Sequence, residues 1–352
     1  MLQRTILVTG AAGFIGYHVC SRLLDEGYTV VGVDSLNDYY DVGLKVMRQN
    51  ILLMHPRYTA VTCKVEEPNR LRNLFEKHKF SAVVHLAAQA GVRYSIDNPR
   101  AYLEANLIGT FELLEAARAF PPDHMLMAST SSVYGANAKM PYCETDKTDL
   151  PLSFYAATKK SNEAMTHSYA HLYDLPITMF RFFTVYVPWG RPDMALFKFT
   201  KAILNDEPID VYNHGNMLRD FTYIDDLIEG IWRLIGKPPG HMQSDEMAEN
   251  DSLSRVAPWR TINIGNSQPV LLMDFIRALE DALGKKAHLN LLEHQAGDVH
   301  STWADTSLLR SLTDFVPQTK LEQGMQGFVN WYNSTYAQDH SDDQLLSKVR
   351  VG

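Results

Sequence analysis

Cysteine is scarce: Cys20, Cys63 and Cys143 are the only three in 352 residues, an odd number with no metal-like spacing. That excludes a disulfide-stapled secreted fold and a cysteine-ligated metal centre, and no other metal site is read from the sequence. Long apolar runs are missing as well. No stretch approaches the roughly 18 consecutive apolar residues of a membrane span, so no membrane insertion is expected. Nor does the N-terminus resemble a secretory signal, and the chain reads as cytoplasmic. Runs of one charge are absent too: 33 Lys and Arg against 41 Asp and Glu leave a net charge of −8, which speaks against a nucleic-acid partner or a polybasic membrane patch. No internal repeat is found. What remains is an ordinary globular composition, long enough for one large α/β unit with a smaller appended region.

The first thirty-odd residues carry the clearest pattern. Thr5–Val8 is a β-branched run suited to a buried parallel strand, and 14–24 has helical spacing with Ile15, Val19 and Leu23 on one side. Between them stand Gly10, Gly13 and Gly16. Glycines there permit a tight turn, close backbone approach to a pyrophosphate and close packing of helix on strand. The next strand, TVVGVD, ends in Asp34, 18 positions after Gly16. A carboxylate so placed accepts hydrogen bonds from an adenosine ribose and repels a 2′-phosphate, which favours NAD over NADP.

Two further strands, FSAVVHLAA and HMLMASTSSVYG, run into small or hydroxylated residues. The second ends in Ser129, Thr130, Ser131 and Ser132, at the strand end where open α/β sheets bind ligands. Then comes LPLSFYAATKK, in which Tyr155 and Lys159 are four apart at a helix start and so share a face. A neighbouring ammonium favours phenolate, so Lys159 is expected to lower the Tyr155 pKa. Alone, the pair equally describes a packed tyrosine beside a solvated lysine.

Taken together, the glycine triplet, Asp34, HLAA, STSSVYG and YAATK resemble the extended short-chain dehydrogenase/reductase superfamily over nearly the whole chain. The second half, with FRFFTVYVPWGRPDM, LRDFTYIDD, INIGNSQP and QAGDV, together with QAGVRYSIDNP, is most similar to the UDP-glucuronate 4-epimerases. Thr184 and Gln295 stand where neutral-sugar epimerases typically carry Asn and Arg.

The resemblance implies a Rossmann-type doubly wound parallel sheet with a smaller, interleaved C-terminal substrate-binding region. Residues 1–183 would form the NAD-binding domain and 184–352 mainly the UDP-sugar region, with one segment returning to the sheet. NAD would lie against Gly10, Gly13, Phe14, Ile15, Gly16, Asp34, Leu86, Ala87, Ala88 and Asn106, with Tyr155 and Lys159 reaching it. Catalysis would fall to Thr130, Tyr155 and Lys159. The substrate would meet Arg93, Ser131, Ser132, Thr184 and Arg191 around its carboxylate, Arg219 at its diphosphate and Asp298 at the uridine ribose. Arg219 beside Asp220 reads otherwise as a surface ion pair, and Arg191 as a turn contact next to Pro192. A homodimer through helices near 100–118 and 155–172, and a place in polysaccharide biosynthesis, are also implied.

Two positions depart from the family. Lys64 replaces an aspartate that bonds the adenine amine, and a lysine cannot accept that bond. Val187 replaces a glycine after Tyr186. The polar stretch 236–258 and the last sixteen residues read as a surface loop and a frayed tail. Competing readings are a UDP-glucuronate decarboxylase, a neutral UDP-hexose 4-epimerase and, from another class, a non-catalytic NAD-binding regulator.

Overall fold

The structure is a computed structural model that describes residues 4–186, 188–242, 251–293 and 300–337. The chain begins as strands alternating with helices. They are β1 (Thr5–Thr9), α1 (Phe14–Asp25), β2 (Thr29–Asp34), α2 (Val42–Leu53), β3 (Tyr58–Thr62), α3 (Arg70–His78) and β4 (Ala82–His85). Two short helices, α4 (Tyr94–Asp97) and α5 (Pro99–Tyr102), lead through a π-helical turn (Leu103–Ile108) into α6 (Gly109–Ala119). After β5 (His124–Ala128) a long loop reaches α7 (Phe154–Tyr173), then β6 (Ile177–Phe182) and β7 (Thr184–Tyr186). The remainder is α8 (Ala195–Leu204), β8 (Pro208–Val211), β9 (Leu218–Tyr223), α9 (Ile224–Ile235), β10 (Trp259–Ile264), β11 (Pro269–Leu271), α10 (Leu272–Leu283), β12 (His288–Leu291), β13 (Ser301–Thr302), α11 (Ser307–Thr313) and α12 (Leu321–Trp331).

Seven parallel strands make the central sheet in the order β10-β6-β5-β4-β1-β2-β3. The order reverses at β1, leaving a crevice at the carboxyl ends of β1 and β4, where doubly wound sheets bind dinucleotides. Alternate residues of β1 serve opposite faces: Ile6 and Val8 join the cluster under α1 and α9, and Leu7 joins the one under α3, α6 and α7. Both faces are covered, which is why the strands read as continuous apolar runs. β10, from the second half of the chain, pairs with β6 in register Trp259↔Ile177 to Ile264↔Phe182.

Beyond the sheet, β7, β9, β11 and β13 form a four-stranded mixed sheet and β8 with β12 a two-stranded one. A third apolar cluster, from Phe197, Ile209, Phe275, Phe328 and Trp331 among others, fills the space between them and α8, α10 and α12. The stretch 100–118, which the sequence suggests is one helix, is interrupted by the π-helical turn. That turn sets Asn106 inward, where it bonds the chain after β4.

Candidate active site

A cavity of about 610 Å³ opens along the carboxyl ends of the strands. At one end lie Cys63, Lys64, Val65 and Glu66, then Asp34 and the Gly10–Gly16 turn; at the other lie Thr130, Ser131, Ser132, Tyr155, Lys159, Thr184 and Arg191. Leu86, Ala87 and Ala88 form part of the lining, with Phe14 and Ile15 at the start of α1.

The turn is built for close approach. Gly10 has φ +71°, and its N–H, like that of Ala11, donates to Val33 O. A Cβ on Gly10 would stand 2.8 Å from Ala87 N, and one on Gly16 only 1.9 Å from Gly10 O. α1 therefore sits hard against the turn, leaving its N-terminal backbone facing the cavity, as an anionic pyrophosphate requires. Asp34 fixes the other side: its carboxylate accepts from Ala12 N at 3.0 Å and Leu36 N at 2.9 Å while facing the same space. Glycine cradle, strand-end carboxylate and small-residue strand ends together fit a dinucleotide.

The segment 37–48 is a part the sequence did not single out. Tyr39, Tyr40 and Lys45 line the cavity, and Lys45 Nζ donates to Asn37 O and Oδ1, both at 2.6 Å, and lies 4.2 Å from the Tyr40 ring centre. Arg48 is fully buried. Its guanidinium donates to Ala12 O, Tyr40 Oη, Trp189 O and Gly190 O, tying the glycine turn to the loop that carries Arg191. One signal was available: Arg48 is four residues from both Leu44 and Leu52, on the buried stripe of α2.

α7 starts where Ser153, extended at φ −147°, accepts from Ala156 N in a side-chain cap. Tyr155 is thereby in the first turn and Lys159 one turn on. Burial pushes the Tyr155 phenol above the ordinary tyrosine range, opposed by a hydrogen bond with Thr130 and by the charge of Arg191. Lys159 donates to Ala128 O at 2.8 Å, and burial brings it down to about 8, against the pull of Glu163. The sequence expectation gave Lys159 the part of lowering the phenol; its ammonium bonds the end of β5, and the influences that oppose the rise of Tyr155 are Thr130 and Arg191. His85, of HLAA, bonds Thr9 Oγ1 at 2.7 Å, and burial beside Lys159 takes it down to about 3, so it stays neutral.

Under these groups runs a buried polar network. Glu163 takes a bidentate bond from Arg181, both contacts at 2.9 Å, and one from Ser129 Oγ at 2.7 Å. Ser129 is thus committed below the site, unlike the three hydroxyls that follow it. Arg181 continues to Tyr134 Oη and Glu144 O, and Tyr134 to Asn263 Oδ1. Glu144 is buried, accepts from Asn263 N at 2.8 Å and is pushed by burial up to about 7. Because that folded-state value lies above the ordinary 4.5, its stabilising contribution is complete below about pH 4.5 and lost as pH rises through 7. Thermal melts should show wild type losing on the order of 3 kcal/mol over that interval from this group, and Glu144→Gln losing correspondingly less; parallel pH profiles would contradict this.

The remaining sequence candidates divide. Ser131, Ser132 and Thr184 line the cavity, as does Arg191, whose guanidinium is paired with Asp193 (Nε–Oδ1 3.0 Å) beside the rings of Tyr39 and Tyr40. Asn106 lies behind the wall, accepting from Gln89 N at 2.8 Å and donating to Gln89 O and Thr158 Oγ1. Arg93 is exposed, 5.0 Å from the Tyr212 ring centre and away from the cavity lining. Arg219 donates to Leu218 O and His300 O. It does not pair with Asp220, which points to the other face of β9 and accepts from Asn266, Ser267 and Ala304 N–H groups. Lys64 stands at the rim, its side chain 62% exposed. Val187, Gln295, Asp298, most of the final tail and 243–250 of the polar loop lie outside the described residues.

A dinucleotide cleft closed at one end by a Thr–Tyr–Lys cluster defines a class, and the sequence comparison agrees: residues 6–245 match the NAD dependent epimerase/dehydratase family, and the chain belongs to it. Among relatives, the probable UDP-glucuronate 4-epimerase of Rhizobium meliloti (strain 1021) is 53% identical over 95% of this chain and 98% of its own length. UDP-glucuronate 4-epimerase 4 of Arabidopsis thaliana is 44% identical over 95% of this chain and 76% of its own. Among solved structures, UDP-glucuronic acid 4-epimerase from Bacillus cereus, in complex with UDP-glucuronic acid and NAD, superposes with a TM-score of 0.81 at 34% identity, covering 94% of this chain and 99% of that one. Among the described residues no helix is long and apolar enough to cross a membrane, and no cluster of His, Cys, Asp or Glu could hold a metal.

Proposed function

We propose that this chain is an NAD-dependent isomerase that interconverts UDP-glucuronate and UDP-galacturonate by inverting carbon 4 through a transient 4-ketone. One observation carries the reading: a single cavity joins the glycine turn and Asp34 to Thr130, Tyr155 and Lys159, with Ser131, Ser132, Thr184 and Arg191 among its lining residues. NAD, when bound, supplies a reversible acceptor for the hydride of carbon 4. Gly10, Gly13, Gly16, Phe14, Ile15 and Asp34 hold its adenosine and pyrophosphate portions, Ala87 and Ala88 make room for it, and Asn106 keeps that wall in place.

Tyr155 takes the 4-hydroxyl proton and later returns it, and Thr130 orients that hydroxyl. Lys159, anchored on Ala128 O, holds positive charge behind them below about pH 8. The ketone is planar, so a sugar that turns about its diphosphate regains hydrogen on the other face. It is also a β-keto acid, and an epimerase must keep the carboxylate from leaving as carbon dioxide. Ser131, Ser132 and Thr184 are the donors for that task, with Arg191 as the nearby cation. Arg219 and Asp298 are assigned to the diphosphate and uridine ribose.

The exposed side chains of Leu103, Ile108 and Phe111 on one helical segment, with Phe154 and Leu172 on α7, suit a homodimer packed through both. Three free cysteines suit a reducing cytoplasm, and the product suits polysaccharide biosynthesis. Incubation with UDP-glucuronate followed by NMR should yield UDP-galacturonate with no net NADH. Release of carbon dioxide with a UDP-pentose would identify a decarboxylase instead.

A further inference from the structure

The adenosine end of the cavity is closed by the chain leaving β3. Cys63, Lys64, Val65 and Glu66 all line it, with Glu104 and Ala105 of the π-helical turn. The backbone there is fixed: Val65 is buried, and its Cγ2 lies 2.6 Å from where a Cβ on Gly109 would stand. An adenine ring entering this end presents an exocyclic amine, which needs an acceptor. Lys64, a cation with no free lone pair, cannot provide one.

Four carboxylates face the cavity. Asp34 accepts from the Ala12 and Leu36 N–H groups and is assigned to the adenosine ribose, Asp38 is exposed, and Glu104 is paired with Arg100 at 3.3 Å. Glu66 differs. Its side chain is 21% exposed, Lys64 Nζ stands 3.9 Å from Oε1, beyond hydrogen-bond range, and among the described residues nothing donates a hydrogen bond to it. It is a half-buried acceptor with open lone pairs, on the fixed turn next to Val65.

We propose that Glu66 recognises the adenine amine of NAD, taking over from two residues away the task that Lys64 cannot perform. The inference rests on NAD being the cofactor of the proposed epimerase. Lys64 partly offsets the Glu66 charge from the rim and leaves the carboxylate free to accept.

Nicotinamide hypoxanthine dinucleotide tests this, because its ring carries an oxygen in place of the amine and would meet the carboxylate lone pair to lone pair. Holoenzyme would be equilibrated with mixtures of the two dinucleotides, and the bound fraction released and quantified. Wild type should retain NAD over the hypoxanthine analogue by about tenfold or more, the value of a hydrogen bond to a charged acceptor. Glu66→Gln, whose amide can accept or donate, should bring the preference below about threefold, and Glu104→Gln should leave it at the wild-type ratio. Lys64→Asp added to Glu66→Gln should restore the preference, which separates loss of recognition from loss of folding. Equal retention of both dinucleotides by wild type, an unchanged ratio in Glu66→Gln, or a loss confined to Glu104→Gln would overturn the assignment. Retention of neither dinucleotide would overturn the NAD reading itself.

Discussion

Replacing Tyr155 by Phe is expected to lower conversion of UDP-glucuronate by roughly 10²–10⁴-fold, the usual contribution of a positioned acid–base group, with NAD content and melting temperature kept at wild-type values. The separation follows from the geometry. The phenol edge faces Thr130 and the cavity, while the ring packs edge-on against Tyr102 at 5.9 Å, a contact that phenylalanine preserves. The glycine turn and Asp34, which hold the cofactor at the far end, are untouched. Quantifying released NAD beside NMR turnover checks both halves, and a variant retaining a tenth or more of the wild-type rate would remove Tyr155 from the proton path.

The largest stability effect is expected at Glu163. Its carboxylate and the Arg181 guanidinium are both buried, joined by two bonds at 2.9 Å, with Ser129 as a further donor. Glu163→Ala leaves Arg181 charged and uncompensated in the interior, which costs about 3–5 kcal/mol. Urea titration should show the midpoint falling accordingly. Removing both partners, as in Glu163→Leu with Arg181→Met, should recover much of that loss, because two apolar groups need no counter-charge. A single-variant loss below about 1 kcal/mol would mean that the pair is as weak as a surface bridge.

The sheet and the turn were legible because their signals are local. A β-branched run, three glycines and a strand-end aspartate lie within 30 residues, and each constrains the backbone on its own. The side-chain cap that fixes the start of α7, Ser153, was seen only in the structure, but that start was legible in LPLSFYAATKK. The Glu163–Arg181 pair was not, since its members are 18 residues apart on different elements and each alone reads as a solvated charge. Arg48 hid in the same way, although helical spacing places it among buried leucines. The direction in which Lys159 points was also out of reach. An i, i+4 spacing puts two side chains on one face, but only the end of β5, arriving from residue 128, decides which acceptor the ammonium takes.

In the proposed reaction the hydrogen leaving carbon 4 returns to the same carbon while only a proton passes through Tyr155. UDP-glucuronate carrying deuterium at carbon 4, converted in ordinary water and read by NMR, tests it directly. UDP-galacturonate should form with the deuterium still on carbon 4. Its replacement by solvent hydrogen would contradict hydride return to carbon 4.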